Sequence, residues 1–274
     1  MNRALRSAGW AGWAVWAGWA LALSLLASAA EAGRPCDERA PLVDAVERGM
    51  ALAQATRQRL DASGARVVLL ARAGQDLRQY GLNWSHFGFA YLADDGQGAT
   101  VWRIVHELNH CGTADSALYR QGLGEFFLDN PYRYEAAFVV PSVEVQQRLL
   151  SILVDKSAVA RLHNPHYSVV AYAWAEQYQQ SNQWAIETLA MAMEPAATSR
   201  HRAQAWLQLR DYRPTTLHLG PLTRLGARIS RANVAFDDHP NEKRFSDRIE
   251  TVTVDSVFDW LQRSQIGGTP QLIR

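Results

Sequence analysis

The chain has 274 residues, with 28 Lys and Arg against 27 Asp and Glu, for a formal net charge of +1. A balance this even gives no sign of a nucleic-acid partner, which would show as a basic stripe or block. There is no repeat and no low-complexity tract, and the length suits one large domain with its own core.

Met1 to Arg6 carries Arg3 and Arg6 and no acid, an apolar run follows from Ala8 to Ala30, and Ala30-Glu31-Ala32 ends it with small residues. Positive start, apolar middle and A-x-A end are the parts of a secretory signal, so residues 1–32 read as a cleavable signal peptide and 33–274 as one exported domain. The expected location is the periplasm. The run is also long enough to span a bilayer, so retention in the inner membrane by an uncleaved segment is the competing reading. On the first reading the only membrane contact is through this segment before cleavage. Cleavage removes Arg3, Arg6 and Glu31 and leaves 26 basic and 26 acidic residues. Cys36 follows Gly-Arg-Pro, which is not the kind of sequence that precedes a lipidated cysteine. Cys36 and Cys111 are the only cysteines, and an oxidising compartment favours their pairing. That disulfide would close a loop of 75 residues, worth about 4 kcal/mol in the chain-entropy view.

Along the exported part, Leu42, Val43, Val46, Met50, Leu52 and Leu60 recur at helical spacing from Asp37 to about Asp61. Arg66–Arg72 is short, apolar and β-branched, a buried strand. A polar connection, Ala73–Asn83, leads to a second strand, Trp84–Tyr91. The turn cluster Asp94–Gly98 returns the chain along Thr100–Leu108 as a hairpin. Tyr134–Val140 is the next strand, ended by Pro141. Helices are expected over 143–154, 181–193, 199–209 and 255–262, and short strands around 215–219, 233–236 and 250–254. Helices, a meander of strands and helices again describe an α+β domain, a small antiparallel sheet flanked by helices.

Three groups of residues carry the chemistry. His106-Glu107-Leu108-Asn109-His110 satisfies H-E-x-x-H, which on a helix holds zinc with two imidazoles and places Glu107 to deprotonate its water. Thr100, Val101, Trp102, Ile104 and Val105 are strand-forming, however, and in a strand positions 106 and 110 lie too far apart for one metal. A third ligand is also needed, and only Glu125 offers itself. The bland reading of His86, in Ser85-His86-Phe87-Gly88, is a satisfied histidine in a sheet. With the hairpin centred on Gly96, His86 instead faces His106 on a shared side, and Gly88 leaves room beside the ring. A ring hydrogen-bonded to an orienting neighbour is what a general base requires. Ser181 stands where a polar stretch gives way to a helix. A plain N-cap suits that place, and so does a nucleophile favoured by the helix dipole. Trp84, Trp102, Trp174 and Trp184 read as core more than as a ligand platform.

Ser85-His86-Phe87-Gly88, His163-Asn-Pro-His-Tyr-Ser168 and Tyr178-Gln-Gln-Ser-Asn-Gln-Trp184 together resemble the exported bacterial family called domain of unknown function 2145, over about residues 36–260. That family is itself similar to circularly permuted papain-like hydrolases of the NlpC kind, which act on cell-wall peptides or on lipid amides and esters. The resemblance implies the permuted papain-like fold, with the histidine first on a strand, a polar orienting residue on the next strand and a cysteine nucleophile opening a later helix. Carried over, His86 is the base, His106 the orienting residue and Ser181 the nucleophile, while Gln180, Asn182 and Gln183 line the cleft or hold the oxyanion. This chain has serine where the pattern has cysteine, and a serine hydroxyl needs its base at the moment of attack. The expected function is an acyl hydrolase or transferase without a cofactor, acting on a cell-envelope substrate. A pseudoenzyme that binds a cell-envelope ligand is the alternative, and a zinc peptidase through His106, Glu107 and His110 the third.

Overall fold

The computed structural model describes residues 42–129 and 131–274. The expected signal segment and Cys36 lie outside the described residues, and with Cys36 lies one half of the expected disulfide. Among the described residues no helix is long and apolar enough to cross a membrane.

The elements in chain order are α1 (Val43–Ser63), β1 (Val67–Ala73), β2 (His86–Asp94), β3 (Thr100–Asn109), β4 (Ser116–Gly122), α2 (Leu123–Phe127), β5 (Arg133–Val139), α3 (Val143–Val154) and α4 (Lys156–Ala160). Then come α5 (Ser181–Met193), α6 (Arg200–Leu209), β6 (Thr215–His218), α7 (Pro221–Ser230), α8 (Asn241–Arg244), β7 (Arg248–Thr251), α9 (Val254–Arg263) and β8 (Gln271–Ile273). The protein is α+β. Six strands form one antiparallel sheet in the order β4-β3-β2-β1-β5-β8, and β6 and β7 form a separate ribbon.

β1 lies inside the sheet and every one of its residues is buried, because both faces are covered. A strand covered on both sides has no reason to alternate, which is why Val67–Ala73 reads as one apolar run. On one face Val68, Leu70, Ala90, Ile104 and Phe138 pack with Leu52 and Leu60 of α1 and with Phe126 and Phe127 of α2. On the other, Leu69, Phe87, Phe89 and Val105 meet α3, α5 and α9. Helix α5 belongs to that core throughout: all its residues but Met193 are buried, and Trp184 stands edge-on to Phe89 at 5.9 Å between centroids. A helix buried nearly all round is an interior helix, so its N-terminus ends inside the protein. A third, smaller cluster, Leu82, Leu217, Leu219, Val234, Phe236 and Ile249, holds the β6–β7 ribbon.

Several sequence expectations shift. The hairpin registers Phe89 with Val105 and Asp94 with Thr100, so its centre is one residue later than Gly96. Gly88 therefore stands opposite His106, and His86 lies diagonal to it on the same face. Residues 233–236 are irregular, with Asn233 in a turn, where a strand was expected. Their backbone serves a neighbouring loop, with Asn233 O accepting from Val169 N. Strands β4 and β8 and helices α2, α4, α7 and α8 were not anticipated. Trp184 and Trp102 are core residues as expected, while Trp84 and Trp174 are half-buried against the core.

Candidate functional site

β2 begins at His86, beside Arg72 of β1, and His106 lies on β3 one strand further along the sheet. The side chains meet. His86 Nε2 is 2.7 Å from His106 Nδ1, and His106 Nε2 is 2.8 Å from Gln121 Oε1 on β4. The other nitrogen of His86, Nδ1, is 3.0 Å from Ser181 Oγ at the start of α5. One set of proton positions satisfies all three contacts. The Ser181 hydroxyl donates to His86, His86 Nε2–H donates to His106, and His106 Nε2–H donates to Gln121. Both imidazoles are neutral in that arrangement. Burial, with the Arg72 guanidinium adding to it, pushes His106 down to about 4, so its ring stays neutral across ordinary pH.

Gly88 makes this approach possible. A Cβ there would stand 2.8 Å from the Val105 carbonyl oxygen and 2.9 Å from His106 Cβ, too close for either to accept. Phe126 closes the far side, its ring 6.0 Å from that of His86 and 5.3 Å from that of His106. Arg72 holds Phe126 in turn, lying over its ring, donating to its carbonyl oxygen and pairing with Asp129 at 2.5 Å.

Ser181 is not the cap of its helix, as the plainest sequence reading had it. Gln180 is, its Oε1 accepting from Asn182 N at 2.9 Å and its amide NH2 donating to the Val252 carbonyl. Ser181 is thus the first helical residue, with its hydroxyl free for His86. Asn182 accepts from Phe87 N at 3.2 Å and ties α5 to β2. Gln183 donates to the Tyr172 carbonyl at 3.1 Å. The side chains of Gln180, Asn182 and Gln183 therefore hold the helix in place. The residue that sequence reasoning passed over is Tyr167, a buried phenol that burial pushes up and whose neighbour is Ser181. The segment carrying it runs beside the one leading into α5: Tyr167 bridges Gln179, and Ser168 N donates to Gln179 O at 3.1 Å. Two stretches singled out in sequence, 163–168 and 178–184, thus meet as neighbours. That proximity was the available signal for Tyr167. Nothing local marked Gln121.

The H-E-x-x-H stretch lies on β3 and the turn after it, not on a helix. His106 turns to His86, and Glu107 points to the opposite face, where Ser116 Oγ donates to it at 2.6 Å. His110 sits past the strand end near the Tyr119 hydroxyl. Glu125, offered as a third ligand, accepts from Gly122 N at 2.9 Å in the first turn of α2. Among the described residues no three His, Cys, Asp or Glu side chains converge as metal ligands. The side-by-side imidazoles of the zinc reading depend on helical spacing, which a strand does not provide.

Behind Ser181 lies a buried polar network. Glu187 of α5 accepts from Gln179 at 2.7 Å, Arg200 at 2.8 Å and Gln204 at 2.7 Å. Burial pushes both Glu187 and Glu107 up, Glu107 to about 8. The donors around Glu187 favour its carboxylate, whereas among the described residues Glu107 accepts a hydrogen bond from Ser116 alone. Glu107 is therefore the partner that holds a proton.

The family model for "Uncharacterized protein conserved in bacteria (DUF2145)" matches residues 59–261, which include every residue of the site. The chain belongs to this family. No curated protein and no solved structure matches it. Within this DUF2145 member the site therefore stands on its own geometry.

Proposed function

We propose that the protein is an acyl hydrolase or transferase in which Ser181 attacks and His86 is its base. The observation that carries the proposal is the unbroken hydrogen-bond chain from Ser181 through His86 and His106 to Gln121, with Ser181 opening a buried helix. In the reaction His86 Nδ1 takes the hydroxyl proton as Oγ adds to the acyl carbon. The proton then passes to the departing amine or alcohol, and water releases the acyl group from Ser181 by the reverse path. His106 steadies the imidazolium through its bond to Nε2, and the dipole of α5 and the Tyr167 phenol favour the developing oxyanion. Base on β2, orienting residue on β3 and nucleophile at a later helix follow the order of permuted papain-like hydrolases, which supports that arrangement and, with the N-terminal apolar segment, an exported enzyme acting on a cell-envelope amide or ester.

The test is acylation by an activated ester, read by intact mass. Wild-type protein is expected to gain one acyl group on Ser181, and Ser181→Ala and His86→Ala to gain none while keeping their fold. Acylation that survives either change removes that residue from the mechanism. A second reading, a binding protein without turnover, draws on the burial of the pair, since Ser181 is 5% and His86 8% exposed. It predicts no acylation of the natural protein, and alkylation of a Ser181→Cys variant at a thiol activated by His86.

A further inference from the structure

Helix α7 is oriented against the usual rule. A surface helix normally turns its apolar stripe inward. At 100° per residue, Leu222, Leu225 and Ile229 fall within an arc of about 60°. Arg224 and Ala227 fall on the opposite side, their arc centred about 160° away. The body is reached by that second side. Ala227 packs on the third apolar cluster, and Arg224 donates to the Leu219 carbonyl and to Asp247, each at 2.6 Å. The apolar stripe faces solvent, with Leu222 84%, Leu225 56% and Ile229 60% exposed, and no residue of α7 is buried.

The segment that carries this stripe is basic. Between Asp211 and Asp237 the chain has no acid and carries Arg213, Arg224, Arg228 and Arg231. Arg228 lies about 90° round the helix from the centre of the stripe, Arg231 follows the helix end, and neither makes an ion pair with any described residue. Phe245, 71% exposed, stands two residues before Asp247, where Arg224 anchors the helix.

We propose that α7 lies flat on an anionic lipid bilayer, burying Leu222, Leu225 and Ile229 below the headgroups and setting Arg228, at the edge of the stripe, and Arg231, past the helix end, among the phosphates. An exposed apolar stripe with unpaired arginines at its edge and at its end is the pattern of an interfacial helix. This contact is independent of the N-terminal apolar segment and of the reaction at Ser181. It bears on that site all the same. The β6–β7 ribbon runs from His218 and Arg248, beside α7, to Thr251, which Gln180 touches next to Ser181. Four strand residues at about 3.3 Å each make the ribbon that links the two helix starts about 10–13 Å long.

The test uses the full chain with vesicles of phosphatidylglycerol or phosphatidylcholine and reads amide hydrogen exchange in peptides spanning residues 221–231. Exchange there reports on α7 whether or not the N-terminus inserts. Phosphatidylglycerol is expected to slow it about threefold or more, phosphatidylcholine to leave it unchanged, and roughly 0.5 M salt to abolish the effect. A Leu222→Ser, Leu225→Ser, Ile229→Ser variant should lose the protection, and Arg228→Gln with Arg231→Gln should weaken binding about tenfold or more. Both variants should keep the wild-type melting temperature, since all of these side chains are exposed. Equal protection by both lipids, or by neither, overturns the proposal. Protection that rises with protein concentration without vesicles also overturns it, and assigns the stripe to a second copy of the chain.

Discussion

Gly88 shows how closely this site is built. A methyl group there meets the Val105 carbonyl oxygen at 2.8 Å, a backbone atom fixed by sheet pairing, so the strand itself must shift. Gly88→Ala is expected to cost about 1–3 kcal/mol, the usual range for overpacking, read as a fall in urea midpoint. It should also weaken Ser181 acylation more than Gly74→Ala, because at Gly74 the nearest atom is the Ser85 hydroxyl, at 3.1 Å. His106 is tested by its length. His106→Gln can still accept from His86 and should retain part of the acylation rate, whereas His106→Ala leaves the imidazolium unsupported and should lose 10²-fold or more, on the order of a general acid–base contribution. Equal loss in both variants would mean that His106 fills space and does not orient His86. His86, Ser181 and His106 were all legible in sequence. Gln121 was not, since a glutamine in a polar strand carries no signal until the strand is placed.

At the scale of elements, the legible ones had strong local patterns. α3 and α5 have the expected bounds, because Pro141-Ser142 and Pro195 punctuate long periodic runs. β4 escaped notice because it is an edge strand, with Ala117, Leu118 and Tyr119 only partly covered, Arg120 exposed and no alternation to read. α7 escaped for a related reason: its apolar period is clear, but the period says nothing about which way the stripe faces. The start of α5 depends on Gln180, which caps the helix and holds Val252. Gln180→Ala should cost about 1–2 kcal/mol in stability, in the upper range for a lost cap, measured by thermal unfolding. The same change should lower acylation, because the cap fixes where Ser181 points. Unchanged acylation at reduced stability would separate the cap from the site.

For the whole molecule, the buried network behind Ser181 makes stability depend on pH. Glu107 is raised from 4.5 to about 8 by burial, so between those values the folded chain holds a proton that the unfolded chain has released. Its contribution is complete below about pH 4.5 and is lost as pH rises through 8, by up to about 1.4 kcal/mol per pH unit. His106, lowered from 6.5 to about 4, works the other way, its contribution complete above pH 6.5 and lost as pH falls through 4. The two trends oppose each other between pH 4.5 and 6.5, so the net decline is steepest from about 6.5 to 8. Glu107→Gln keeps the acceptor for Ser116 and removes the titration. Wild-type stability relative to this variant should therefore fall from pH 6.5 to 8, and a parallel pair of profiles would place the proton elsewhere. None of this network was read from sequence, because burial of an acid is a property of the packed chain. Sequence alone determined the class of fold, the central apolar strand, the His86–His106 hairpin and the helix that Ser181 opens, since periodicity, turns and caps are local. Only the tertiary structure decided the register that seats Gly88 under His106, the contact of Ser181 with His86 across 95 positions, the proton on Glu107 and the outward face of α7. Those depend on which surfaces meet, and the pattern of one segment does not say what lies against it.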